Sequence, residues 1–137
     1  MTRAEALLDT LLPGDADFPP GRGIAESLRA HARFGPPLAT VLRALPEDMA
    51  QLPQADRITA VQQAEVAHPA AFDAMIVGVY SLYYTDPVVA QIIGRLTGHS
   101  AAPPQPQGHA LAPFDPALVA VPAGRGPLYR PTPEVPT

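Results

Sequence analysis

Residues 69–87 read PAAFDAMIVGVYSLYYTDP, and the spacing inside this stretch decides the fold. Phe72, Met75, Ile76, Val79, Tyr80 and Tyr83 repeat at separations that match the turn of an α-helix and not the alternation of a strand. Val77, Leu82 and Tyr84 make the other side apolar as well. A helix that is apolar all round is surrounded by protein. The segment therefore reads as a central helix whose far face is covered by another helix, by the C-terminal tail or by another chain. Pro69 suits the first helical position, where its missing amide donor has no intrahelical partner to lose.

Working outward, Thr85-Asp86-Pro87 is a break at which Thr85 or Asp86 caps and Pro87 opens a last helix. Val88, Val89, Ile92, Ile93 and Leu96 form its stripe, and Gly98 is its stop. Upstream, His68-Pro69 closes a helix over 56–67, with Asp56 as cap and Ile58, Val61 and Ala64 inward. Leu38, Val41, Leu42 and Leu45 mark a short piece over 38–45, and Pro46-Glu47-Asp48 starts a further turn. A helix over 24–34 buries Ile24, Leu28 and Ala32 and ends at Gly35-Pro36-Pro37. The first helix, 2–12, carries Ala4, Leu7, Leu8, Leu11 and Leu12. Thr2 and Glu5 have the spacing of a capping box, and Pro13-Gly14 stops the helix. Residues 14–23, GDADFPPGRG, are turn chemistry throughout. No alternating strand pattern of useful length and no internal repeat occurs. The expected fold is all-α, a small irregular bundle of five or six helices over residues 1–98.

Residues 99–137 read differently. Of 19 prolines, ten lie between Thr97 and Thr137. Proline lacks the amide donor, clashes with the preceding turn and extends the residue before it. The segment is nevertheless apolar, with Leu111, Phe114, Leu118, Val119, Val121, Leu128 and Tyr129. It reads as an extended tail that packs on the bundle or on a partner, since a stiff extended segment loses little conformational entropy on docking.

Composition narrows the chemistry. The chain has 137 residues, a net charge of −4 and no cysteine, and its nine basic residues are all arginine. Without cysteine there is no disulfide framework, thiolate nucleophile, Cys-ligated zinc site or iron–sulfur cluster. The sparse positive charge forms no basic stripe, which argues against nucleic acid. The most apolar run, AMIVGVYSLYY, covers about half a bilayer, so no membrane contact of its own is expected. The opening MTRAEALLDTLLPGD is too short, acidic and regular for a signal peptide. The expected location is cytoplasmic, or periplasmic by co-export with a partner.

No catalytic constellation emerges. His31, His68, His99 and His109 stand apart, and no pair has metal-ligand spacing. Glu65 and His68 have the separation used in carboxylate-bridged metal bundles, but a second copy of the motif is missing. Asp15/Asp17 and Glu47/Asp48 sit in turns, where such residues cap. Ser27, Ser81 and Ser100 lie in no nucleophile elbow. Gly21-Arg22-Gly23 lacks the preceding strand that a phosphate loop requires. The remaining feature is the cluster Tyr80, Tyr83 and Tyr84. Tyr80 is expected in the core, and at least one of Tyr83 and Tyr84 outward, as boundary core or as interface. An alternative is a small-ligand or enzymatic pocket built from Tyr83, Tyr84, Asp86 and a histidine, and a further one is a stand-alone helical adaptor.

Two stretches carry a resemblance: LLDTLLPGDADFPP over 7–20, and HPAAFDAMIVGVYSLYYTDPVVAQIIG over 68–94. The chain resembles the gluconate 2-dehydrogenase subunit 3 family, small helical subunits that accompany large flavoprotein dehydrogenases of the glucose–methanol–choline type. Leu11-Leu12-Pro13-Gly14-Asp15 is similar to the family's Leu-Ile-Pro-x-Asp opening. Tyr83-Tyr84-Thr85-Asp86-Pro87 is similar to its aromatic–aromatic–Ser/Thr-Asp-Pro turn. The chain departs where Val88 to Gly94 replace the Gly-rich segment that usually follows, and where many members carry a twin-arginine export signal. The resemblance implies a non-catalytic accessory subunit that binds and stabilises a large partner. It implies no cofactor in this chain and FAD in the partner. The residues expected to meet that partner are Tyr83, Tyr84, Asp86 and Pro87 in the body. In the tail they are Leu111, Phe114, Leu118, Leu128 and Tyr129, with Arg125 and Arg130 for carboxylates or carbonyls.

Overall fold

A computed structural model describes residues 1–99 and 113–125, all helix and connecting turn. The chain divides into two units, Met1–Ala102 and Pro103–Thr137. The first unit contains α1 (Arg3–Leu11), a 3-10 turn (Gly21–Ile24), α2 (Ala25–Ala30), α3 (Gly35–Ala44), α4 (Gln54–Ala67), α5 (Pro69–Thr85) and α6 (Pro87–Thr97); α7 (Ala117–Gly124) lies in the second. The all-α reading of the body holds.

α1 begins where the sequence indicates. The backbone N–H of Glu5 donates to Thr2 Oγ1 at 3.2 Å, and the N–H of Thr2 donates to the Glu5 carboxylate at 2.6 Å. These bonds satisfy donors that a helix start would otherwise leave open. α5 starts with Pro69 at its first position and runs as one piece of 17 residues, packing against α2, α3, α4, α6 and the 3-10 turn. It is the central helix, with Phe72, Met75, Gly78, Val79 and Tyr83 buried. The core around it holds Leu7, Leu8, Leu28, Leu38, Val41, Met49 and Val89, all fully buried, each large side chain contributing roughly 1.5–3 kcal/mol. Met49 comes from the turn expected at Pro46-Glu47-Asp48, closed by Met49 N to Pro46 O at 3.3 Å and Gln51 N to Asp48 O at 2.7 Å. The turn between α2 and α3 comes close to α5 at Gly78. A Cβ there would stand 2.5 Å from Phe34 Cγ, so the Phe34 ring lies on bare backbone.

The structure corrects four readings. The helix expected over 24–34 ends early: α2 stops at Ala30, His31 takes an extended backbone, and a turn leads to Gly35. Gly35-Pro36-Pro37 begins α3 instead of ending α2, because prolines in the first turn lose no intrahelical bond. α4 starts at Gln54 with Pro53 as its cap residue; Asp56 lies in its first turn, and Ile58 is exposed while Ala60 takes the inward place. Residues 117–124 are helical where an extended tail was expected. Ala117 to Val121 contain no proline, and just before the helix Asp115 Oδ1 accepts the Ala117 N–H at 2.9 Å in an Asx turn.

Candidate functional site

The two stretches that carry the resemblance meet in the folded body. After α1 the chain turns back on itself. Gly14 takes a φ of +75°, and a Cβ there would stand 2.8 Å from Pro20 N and 2.9 Å from Phe18 O. Asp15 then acts as the hub of the turn: its Oδ1 accepts the N–H of Asp17 at 2.8 Å and of Phe18 at 2.7 Å, and its own N–H donates to Phe18 O at 3.0 Å. These two donors hold the Asp15 carboxyl below its ordinary 3.8. The return is fastened to α1 by Gly21 N to Leu12 O at 2.8 Å. Asp9, the one buried charged residue among those described, accepts the Arg22 N–H at 2.8 Å and pairs with Arg22 Nε at 2.8 Å.

Tyr83 meets this loop from α5. Its hydroxyl donates to the carbonyl of Pro19 at 2.6 Å, and the residue is 5% exposed. Burial, and then the nearby Tyr84, Asp15 and Asp86, raise its pKa above the ordinary 10.0. Tyr83 forms a shared wall between two grooves. One, of about 260 Å³, is lined by Leu12, Pro13, Gly14, Asp15, Phe18, Tyr83 and Tyr84. The other, of about 200 Å³, is lined by Pro19, Pro20, Gly23, Ile24, Tyr83, Asp86, Val88 and Val89. A second tie crosses the same region, Arg95 Nη2 to Asp17 Oδ1 at 3.0 Å, between exposed groups.

Tyr84 and Tyr80 stand outside the core, 52% and 50% exposed. Tyr80 was expected inside. The helix turns it out because Phe72, Met75 and Val79 already fill the inward stripe. The Tyr84 ring stands edge-on to Tyr83 with centroids 5.4 Å apart and lies 6.1 Å from Tyr80, so the three rings form a continuous ledge. Of the two candidate caps, Asp86 caps α6, accepting from Val88 N at 2.9 Å and Val89 N at 3.4 Å. Thr85 instead bonds back to Ser81 O at 2.6 Å. Pro87 is exposed at the first position of α6.

Of the expected partner-facing residues, the fold thus brings Tyr83, Tyr84, Asp86 and Pro87 to one surface. Phe114, Leu118 and Arg125 are exposed in the second unit; Leu111, Leu128, Tyr129 and Arg130 lie outside the described residues. Among the described residues no histidine lines the grooves. His31 stacks on Phe34 at 4.5 Å, its Nδ1 accepting the Arg33 N–H. His68, Glu65 and His99 are exposed, and His109 lies outside the described residues. No group of three or more metal-ligating side chains occurs among the described residues. Sequence reasoning missed Phe18, Pro19 and Pro20 as groove walls. Their proline and aromatic density was visible, but it was read as turn chemistry alone.

No protein-family model, curated protein or solved structure matches the chain.

Proposed function

We propose that this chain is a non-catalytic small subunit that binds and stabilises a larger flavin-dependent oxidoreductase of the glucose–methanol–choline type. One observation carries the reading. The Leu-Pro-Gly-Asp turn and the Tyr-Tyr-Thr-Asp-Pro turn, far apart in sequence, close on each other through Tyr83 and Pro19 and wall the same groove. The exposed Tyr80 and Tyr84 beside them are the residue type enriched at protein interfaces. In this reading the FAD and the oxidation chemistry belong to the partner, and Phe114 and Leu118 add apolar anchors from the second unit. The complex works in the cytoplasm, or in the periplasm when the partner's export signal carries it there.

The test is affinity purification of the tagged full chain from its native host, with mass spectrometry and visible absorption of the eluate. A large co-purifying protein with a flavin spectrum, less stable in cells lacking this chain, is the expected result. A partner without flavin, or no partner, overturns the reading. Replacing both Phe114 and Leu118 by Ser should lower the recovery of that partner; undiminished recovery removes the tail from the interface.

A further inference from the structure

We propose that the paired grooves at Tyr83 form a peptide-recognition site for an extended, proline-rich segment that carries arginine. The inference concerns the chemistry of the occupant and stands apart from any flavoprotein. Polyproline segments make no internal hydrogen bonds, and they dock in grooves lined by aromatic rings. Here Phe18, Tyr83 and Tyr84 supply the rings. Tyr83 divides the surface into two small apolar seats. Two seats suit successive prolines of a narrow extended chain; an apolar helix needs one longer trough for anchors a turn apart. The occupant's carbonyls also need donors. Tyr83 spends its hydroxyl on Pro19, whereas the exposed Tyr80 and Tyr84 hydroxyls have no hydrogen-bond partner among the described residues.

Charge selects among proline-rich ligands. Asp15 lines one seat and Asp86 the other. The ion pairs among the described residues are Arg22–Asp9, Arg29–Glu26 and Arg95–Asp17, so neither groove carboxylate is neutralised by a described side chain. Asp17 already has its cation. An arginine at each end of the bound segment meets this pattern, and a guanidinium forms the stronger, planar contact with a carboxylate.

The test is titration of the isotope-labelled full chain with three synthetic peptides of equal length, followed by backbone amide NMR. The peptides are proline-rich with flanking arginines, the same sequence with glutamates for arginines, and a Gly/Ser sequence. The arginine peptide should shift the amides of Gly14, Asp15, Tyr84 and Asp86. Tyr84→Ala, at an exposed position that leaves the core intact, should weaken that binding about tenfold, and the glutamate peptide should bind at least about tenfold more weakly. Val66→Ala, on the exposed face of α4, should leave binding unchanged. Equal binding of the glutamate or Gly/Ser peptide overturns the proposal, as does the absence of shifts at the grooves. It is also overturned if an apolar helical peptide takes the same amides more tightly, or if these shift with protein concentration alone, which would identify a second copy as the occupant.

Discussion

The hydroxyl of Tyr83 donates a 2.6 Å hydrogen bond to the carbonyl of Pro19 and so ties the middle of the sequence to its beginning. The bond fixes the loop that walls both grooves, and it engages one of the three tyrosine hydroxyls of the α5 ledge inside the fold.

Removing that hydroxyl in Tyr83→Phe leaves the Pro19 carbonyl without its donor. The expected loss is about 1 kcal/mol of stability, read from the shift in urea midpoint. The same substitution has a signature in alkali. The Tyr83 proton is held more tightly in the fold than the ordinary 10.0 requires, chiefly through burial. A group whose folded pKa is raised gives stability that is whole below its unfolded value and is lost as pH rises through the folded one. The native chain should therefore lose stability above pH 10 more steeply than Tyr83→Phe. Parallel curves would contradict this.

Gly14 and Gly98 both have positive φ, +75° and +72°, yet only Gly14 is crowded by neighbouring backbone. Gly98→Ala meets nothing within 4 Å and should cost about 1 kcal/mol for the left-handed backbone alone. Gly14→Ala adds a collision with Pro20 and Phe18 and should cost at least about 2 kcal/mol. Thermal unfolding of the two variants side by side checks the order; equal losses would show that the turn relaxes.

Asp86→Ala removes the acceptor of the first α6 amides. It should destabilise the chain by about 1 kcal/mol and speed hydrogen exchange at Val88 and Val89. Asp86→Asn keeps an acceptor oxygen and should retain most of the protection. Equal exchange in the two variants would assign the effect to charge instead of capping.

Asp9 serves Arg22 twice, through its backbone N–H and its guanidinium. Asp9→Ala should cost about 2 kcal/mol, since it leaves a partly buried amide unpaired beside the loop. Arg22→Ala removes only the half-exposed ion pair and should cost under about 1 kcal/mol. Denaturant titration distinguishes them, and a reversed order would place the main bond in the ion pair.

Much of the body was legible because its punctuation is local. Thr2 with Glu5, Pro69, Asp86 with Pro87, and Gly98 each act within a turn of themselves, and each stands where its spacing predicts. The errors fall where one residue type serves two ends. Pro36 and Pro37 can follow one helix or open another, and only the burial of Leu38 and Val41 against α5 decides it. Tyr80 and Tyr83 share a helix and a chemistry, and the sequence does not say which of them faces the core. In the same way, no local signal connects Pro19 with Tyr83, because the bond depends on how α1, its return loop and α5 pack. The turn at Asp115 that leads into α7 is obscured by the prolines around it.

The close approach at Gly78 has a consequence for how this sequence can drift. One hydrogen atom, in place of a side chain, sets how near the turn before α3 comes to α5, and Phe34 occupies the room that it leaves. Position 78 and position 34 are therefore bound to change together. A larger residue at the first demands a smaller one at the second, or the helix that bears the tyrosine ledge is levered outward from its buried side.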